Sequence, residues 1–250
     1  MTHSFCRADL IKMLTSATCH HPFIVAIDGC GGAGKSSFAE WLADELKMAL
    51  AAAPAREQNL TFEQSGDSDS GSFAVISDGL PVDVQIIKMD DFYKPSRERL
   101  PQREADALIG SDYDWQRLRT QVLQPLIHGQ TVSYQRYDWD SDMLAEWHDV
   151  NLNSVVIIEG CYSLRHELTF FYNLTCWVYC SREQRLERGI ARDGETKREI
   201  WEKYWMPAED RYVELEEPHR RANILIDGSG ATDCISARCN LDALFATRDH

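Results

Sequence analysis

The strongest chemical signal in the chain is Gly29-Cys30-Gly31-Gly32-Ala33-Gly34-Lys35-Ser36, which satisfies GxxxxGK[ST]. Glycines at these places let successive backbone N–H groups curl around phosphate oxygens without Cβ clashes. A helix beginning near Lys35 adds the positive end of its dipole. In this pattern Lys35 reaches the β- and γ-phosphate oxygens of a nucleoside triphosphate, and the Ser36 hydroxyl ligates Mg²⁺. Gly29, Gly31, Gly32, Ala33, Gly34, Lys35, Ser36 and Ser37 are the candidate phosphate-binding residues. The match lies between an apolar run and an amphipathic run, the context that separates this motif from an accidental glycine-rich turn. Cys30 sits inside the loop, where a helix N-terminus lowers a thiol pKa; a redox role stands beside the simpler reading of a tolerated small residue.

Phosphoryl transfer to an alcohol needs a carboxylate that orients the hydroxyl and takes its proton. Three acidic positions close predicted strands: Asp28, Asp90-Asp91 and Glu159. In an open α/β sheet ligands gather at the carboxyl ends of the strands. Asp90 is the candidate base, and Glu159 the candidate Mg²⁺ ligand, directly or through water. Any one of these acids could instead be a cap or turn residue, but three at the edge that carries the loop favour function. Arg182, Arg185, Arg188 and Arg192 share one helical face. For Arg182 and Arg185 a solvated face paired with Glu183 and Glu187 is expected. Arg188 and Arg192 instead begin a lid near residues 188–200, where they can clamp phosphate and offset charge on the group in transfer.

The elements that must hold these residues follow from periodicity. A helix is predicted over 5–20. Pro22–Asp28, 82–89, 154–158, 173–179 and 223–226 are apolar runs of strand length. Phe38, Leu42, Leu46 and Leu50 recur at helical spacing, so Lys35–Ala53 is a predicted helix stopped by Pro54. Further helices are predicted over 113–127, 182–192 and 196–216, with an extended segment over 131–139. Strands alternating with helices predict an α/β fold, a doubly wound and mainly parallel sheet with helices on both faces and a small lid. Residues 55–79, rich in Ser, Asp, Gly, Gln and Glu, read as a mobile insertion in a single domain spanning 1–250. The tail after Gly228 carries no readable pattern.

Composition narrows the partners. The 250 residues carry a formal net charge of −14, which disfavours nucleic acid and anionic lipid as partners. No run has the roughly 20 apolar residues of a membrane span, so a cytoplasmic protein is expected. The eight cysteines form no CxxC pair and read as free, mostly buried thiols. A GTPase-type NKxD motif and an LSGGQ signature are both absent from the sequence.

Taken together, the loop at 29–36, Met89-Asp90-Asp91-Phe92-Tyr93, Tyr113-Asp114, Tyr137-Asp138-Trp139, Ile157-Ile158-Glu159-Gly160, Arg188–Asp193 and Glu217-Pro218 followed by 222–226 resemble the uridine kinase branch of the P-loop kinases. That branch also holds phosphoribulokinase-like and nicotinamide riboside kinase-like proteins. The resemblance runs in family order over 22–228. It implies a P-loop NTPase fold, ATP and Mg²⁺ as cofactors, and a small-molecule acceptor. It also implies Asp90 as catalytic base, Asp114 on acceptor ribose hydroxyls, Tyr93 and Tyr137 beside the acceptor, and Arg192 and Arg198 as lid arginines, with Arg188 on the nucleotide side. Homo-oligomers are common among such proteins, and no interface is legible here. Two departures bear on the acceptor. Asp142 stands near the place of the family's base-reading His, and Thr196-Lys197-Arg198 replaces an Arg-Gly-Arg lid element. A nucleoside is the expected acceptor; nicotinamide riboside, pantothenate, a sugar or sugar phosphate, and a non-catalytic nucleotide-binding regulator are the alternatives. Residues 137–147, rich in aromatics and acids, are the expected acceptor-binding loop.

Overall fold

A computed structural model describes residues 3–17, 22–52, 83–100, 109–230 and 234–237. The insertion expected at 55–79 lies outside the described residues. The main sheet has seven strands in the order β1-β9-β8-β7-β2-β6-β3, formed by His3–Cys6 (β1), Phe23–Asp28 (β2), Asp83–Lys88 (β3), Ser154–Glu159 (β6), Leu174–Tyr179 (β7), Ile224–Asp227 (β8) and Cys234–Ala237 (β9). From β3 to β8 every neighbouring pair is parallel, and β9 and β1 add two antiparallel strands at one side. Val132–Asp138 (β4) and Met143–Val150 (β5) form a separate antiparallel hairpin.

Strands β2 and β6 are buried along their whole length, which is why they read as unbroken apolar runs and not as alternating ones. Their side chains divide between two cores. Val25, Ile27, Val155 and Ile157 pack with Leu10 and Leu14 of α1 (Arg7–Ala17) and with Phe38, Leu42 and Leu46 of α2 (Lys35–Ala52). Ile24, Ala26, Val156 and Ile158 face the opposite core with Leu118, Val122 and Leu126 of α3, which runs through Trp115–Leu118, a π-helical turn Arg119–Leu123 and Gln124–Ile127. Each fully buried Leu or Ile contributes roughly 1.5–3 kcal/mol, so the two cores hold the sheet edge rigid beneath the chemistry. The doubly wound, mainly parallel architecture expected from the sequence is the one observed.

Three local expectations need correction. The helix predicted over 5–20 begins at Arg7, because His3–Cys6 pair with the tail strand Cys234–Ala237. That tail strand itself had no sequence signal. The 131–139 and 137–147 segments are the two arms of the β4–β5 hairpin, with a register irregularity between Gln135 and Tyr137. The helix predicted over 196–216 opens with a 3₁₀ turn, Glu195–Lys197. It then continues as α5 through Arg198–Ile200, a π-helical turn Trp201–Trp205 and Met206–Glu216. The arginine-bearing helix α4 spans Arg182–Asp193 and is capped by Ser181, whose side chain accepts from the Gln184 N–H.

Candidate active site

Strand register assembles the site. Ile27 of β2 stands opposite Glu159 of β6, and Glu159 opposite Lys88 of β3. The residues that follow, the Gly29 loop on one side and Met89-Asp90 on the other, therefore emerge at one sheet edge.

On the loop side, Ser36 Oγ donates to Glu159 Oε1 at 3.1 Å, uniting the two expected Mg²⁺ ligands. Burial, reinforced by the charge of Asp90, raises the Glu159 carboxyl pKa despite the nearby Lys35 and this hydrogen bond. Among the described residues no group of three or more His, Cys, Asp or Glu side chains could hold a metal. A hydroxyl and one carboxylate suit Mg²⁺, which keeps several waters and takes its remaining ligands from phosphate. Lys35 is buried, and its Nζ donates to the Cys30 carbonyl at 3.0 Å and meets Cys161 Sγ at 3.4 Å. Burial disfavours its charge, but Cys161, Glu159, Glu209 and Asp28 outweigh that and hold its pKa above the ordinary lysine value. The loop closes on itself through the Ala33 N–H to Cys30 carbonyl bond. Gly32 has a φ of +75°, and a Cβ there would lie 2.3 Å from the Arg185 carbonyl, so only glycine fits that turn against α4. Gly34, also left-handed at +99°, lies beside the Arg188 guanidinium. Ser37 is exposed in the first turn of α2.

The thiol of Cys30 is pushed up to about 12, by burial first and then by Glu209. The depression expected from the helix end is absent, because desolvation in this pocket is the larger effect. The thiols are less uniformly buried than expected. Cys30 and Cys176 are enclosed, Cys161 and Cys180 are half-buried, and Cys6 is exposed and bonded to Asp9.

The other strand-end acids separate in role. Asp28 turns inward: fully buried, it accepts from the N–H groups of Gly29, Tyr162 and Leu164 and from the Tyr212 hydroxyl. It ties β2 to the turn after β6 and belongs to the scaffold. Asp91 accepts from the Tyr134 hydroxyl at 3.1 Å, facing the hairpin. Asp90 alone remains exposed at the edge, with the Tyr113 hydroxyl 3.4 Å away.

Around Asp90 lies an aromatic group. Tyr93 meets Tyr113 edge-on at 5.0 Å and stacks on Trp139 at 4.5 Å, while Arg99 lies over its ring at 4.6 Å. Trp139 and Arg99 thus both pack on the Tyr93 ring, and its hydroxyl donates to Asp112. Tyr137 is buried and donates to Asp142 at 2.7 Å. Asp142, with φ of +53°, also accepts from the Ser96 N–H and hydroxyl and from Arg99. These hydrogen bonds, led by that of the Ser96 side chain, depress its carboxyl to about 2. Asp142 therefore fastens the hairpin tip to the segment after Asp90. Asp114 caps α3, accepting from the Arg117 N–H at 3.0 Å, and its own N–H donates to the Phe92 carbonyl.

The arginine stripe divides differently from expectation. Arg185 is not on a solvated face. It is buried and pairs with Glu209 at 3.5 Å and Asp210 at 3.4 Å, while Arg182 pairs with Asp210, and neither takes Glu183 or Glu187. Arg188 donates to the carbonyls of Gly32, Gly228 and Ser229, which fixes it against the phosphate loop. Arg192 is exposed and paired with Asp193 at 2.7 Å, within electrostatic reach of Asp90. Arg198 pairs with Glu195 and Glu202 on the surface and touches none of these groups.

Glu209 was missed by sequence reasoning. It is buried and accepts from the Gly31 N–H at 2.9 Å. The available signal was its place on the stripe Met206, Glu209, Tyr212, every third residue of α5 and all buried.

Comparison with known proteins agrees with this architecture. A possible uridine kinase from Bacillus stearothermophilus superposes with a TM-score of 0.57 at 20% identity, covering 88% of this chain and 98% of that one. A candidate fructose transport system kinase from Silicibacter sp. TM1040 gives 0.53 at 18% identity, covering 86% and 94%. At such identities these likenesses establish the fold alone. The phosphoribulokinase/uridine kinase family model, however, matches residues 24–227, from the first buried strand to the last parallel one. The chain belongs to the phosphoribulokinase/uridine kinase family.

Proposed function

We propose that the protein transfers the γ-phosphoryl group of ATP, with Mg²⁺, to a hydroxyl of a small molecule, and that this acceptor is a nucleoside. The observation that carries the reading is the Ser36–Glu159 contact beside buried Lys35, one strand away from exposed Asp90. This is a donor site and a general base at one sheet edge. Family membership supports the kinase class.

In this reading the loop amides of Gly32, Gly34, Lys35 and Ser36 and the Lys35 ammonium hold the β- and γ-phosphates, the Gly31 and Ala33 amides being taken by Glu209 and Cys30. Ser36 and Glu159 would hold Mg²⁺, which would supply charge stabilisation at the phosphate oxygens. Asp90 accepts the proton of the acceptor hydroxyl as its oxygen forms the new bond to γ-phosphorus. The bond from γ-phosphorus to the bridging oxygen breaks, and ADP leaves. Arg192, whose Nε and Nη2 stay on Asp193, offers Nη1 to the transferring group, with Arg188 steadying the loop; Arg198 would have to leave Glu195 and Glu202 to join them. Tyr93, Tyr137 and Asp114 border the acceptor. The free thiols Cys6, Cys30, Cys161, Cys176 and Cys180 support a reducing, cytoplasmic setting.

A second reading is favoured by a specific observation. The Tyr93 ring is already packed by Trp139 and Arg99, and Asp142 is bound into the hairpin latch. Of the aromatic group around Asp90, Trp139 is the half-exposed member, so a sugar-like alcohol without a base needs less rearrangement of this group.

The test is ADP release with ATP–Mg²⁺ against nucleosides, nicotinamide riboside, pantothenate, simple sugars and sugar phosphates. Turnover led by a nucleoside supports the first reading, and turnover led by a sugar or other alcohol supports the second. Tight ATP binding with no turnover on any acceptor would discard both.

A further inference from the structure

Helix α5 reaches into the phosphate loop at two points. Glu209 Oε1 accepts from the Gly31 N–H at 2.9 Å and from the Cys161 thiol at 3.4 Å, while Oε2 lies 3.5 Å from buried Arg185 of α4. Two helical turns earlier, the Trp201 ring covers the same glycine. A Cβ built on Gly31 would come within 2.9 Å of both Glu209 Oε1 and the Trp201 ring, and one on Gly189 of α4 within 2.5 Å of that ring. Two glycines thus open the slot that Trp201 fills, and the ring is almost wholly buried in it.

The outer edge of the same ring faces the lid. Trp201 Nε1 donates to Asp193 Oδ2 at 2.9 Å, and Asp193 holds Arg192, whose guanidinium lies 5.8 Å from the Trp201 ring. A continuous path of packed and hydrogen-bonded groups therefore runs from Gly31 through Glu209 and Trp201 to Asp193 and Arg192. A carboxylate buried beside Lys35 and Arg185 and bonded to a loop amide is a specific arrangement. Desolvation makes it unfavourable for the carboxylate unless every partner is in place.

We propose that Glu209 and Trp201 lock the phosphate-binding loop to the arginine-bearing lid, making Glu209 a positioning residue that sets where Arg192 stands relative to the loop. This rests on the kinase reading. Its consequence is selective. Arg192 serves the γ-phosphate, so loosening the lock weakens triphosphate recognition and leaves diphosphate recognition largely intact.

The experiment is a double-mutant cycle read by calorimetric titration of Mg²⁺ with a non-hydrolysable ATP analogue and with ADP. Glu209→Gln keeps an oxygen for the Gly31 N–H and loses the charge. Each of Glu209→Gln and Arg192→Ala should weaken the triphosphate analogue about tenfold, the scale of one charge-assisted hydrogen bond, and ADP less than about threefold. Independent sites would multiply to about a hundredfold in the double variant, whereas coupled ones stay near tenfold. A double variant near a hundredfold, or equal losses on the two nucleotides, overturns the proposal and leaves Glu209 a fold-stabilising residue. Trp201→Phe, which keeps an aromatic ring but loses the Asp193 bond and part of the filling between Gly31 and Gly189, should give the same coupling with Arg192→Ala and covers the case in which Glu209→Gln fails to fold. If the wild type binds neither nucleotide, the kinase reading fails separately. Hydrogen exchange on the free protein then decides the lock: Glu209→Gln should speed exchange at Gly31 and over 193–201 together, and acceleration of only one segment contradicts it.

Discussion

The two halves of the candidate site are built by different means. The donor half is closed by backbone: Gly32 lies against the Arg185 carbonyl, and a Cβ on Gly228 would come within 1.8 Å of the Ala33 carbonyl. Its charged groups Lys35 and Glu159 are buried. The acceptor half is closed largely through side chains, with the Asp142 carboxylate gathering Ser96, Arg99 and Tyr137 across a hairpin tip whose Trp139 is half exposed. Backbone packing around a loop fixes its shape before the ligand arrives. A latch of partly exposed side chains opens at less expense than packed backbone, because ion pairs near water are each weak. In the proposed reading the donor half is therefore preorganised, and closure and specificity would be set in the acceptor half.

The contrast breaks most sharply at Lys35. Lys35→Met should lower turnover about a thousandfold, roughly 4 kcal/mol of transition-state stabilisation, in steady-state assays with the best acceptor. A loss below tenfold would mean that the donor half does not depend on this charge.

A pH titration probes the scaffold under the donor half. Burial pushes the Asp28 carboxyl up to about 6, against the hydrogen bonds from Tyr212, Leu164 and Gly29. In the unfolded chain it titrates near 3.9, so between these values the folded state binds more protons. Stability from Asp28 is then fully present below about pH 4 and falls as pH rises to about 6, by on the order of 3 kcal/mol. Urea unfolding of wild type and Asp28→Asn across pH 4–7 should show the wild type losing that much relative to the variant, with the difference constant above pH 6–7. A difference that is flat throughout would show that the four donors to Asp28 cancel its desolvation.

In the acceptor half, Asp142→Ala should raise the acceptor KM on the order of tenfold through lost positioning and leave the ATP KM unchanged. Equal changes in both would erase the distinction between the halves. The smallest effect is expected at the start of α4, where Ser181→Ala removes a cap worth about 1 kcal/mol. Thermal unfolding should register it without a change in nucleotide affinity.

Legibility in the sequence follows the same division. The loop, the strand ends Asp90 and Glu159 and the five parallel strands were readable because backbone geometry demands particular residues at fixed spacing: glycine where a Cβ would strike a carbonyl, apolar runs where a strand is buried on both faces. Asp28 was recognised as a strand-end acid, but its inward turn depends on Tyr162, Leu164 and Tyr212, far away in sequence. The burial of Arg185 depends likewise on Glu209, and the Asp142 latch on Ser96 and Arg99, pairs joined by no local period. The edge strands His3–Cys6 and Cys234–Ala237 are four residues each and are defined by one another.

The most direct test of the account is Asp90→Asn, assayed for phosphoryl transfer from ATP–Mg²⁺ to the best acceptor alongside ATP affinity by calorimetry. The account predicts turnover lowered on the order of a hundredfold or more, the scale of a lost general base, with ATP affinity within about threefold of wild type, because Asp90 stands apart from the donor half. Retained turnover in the variant would contradict the assignment of Asp90 as the base and, with it, the functional edge proposed here.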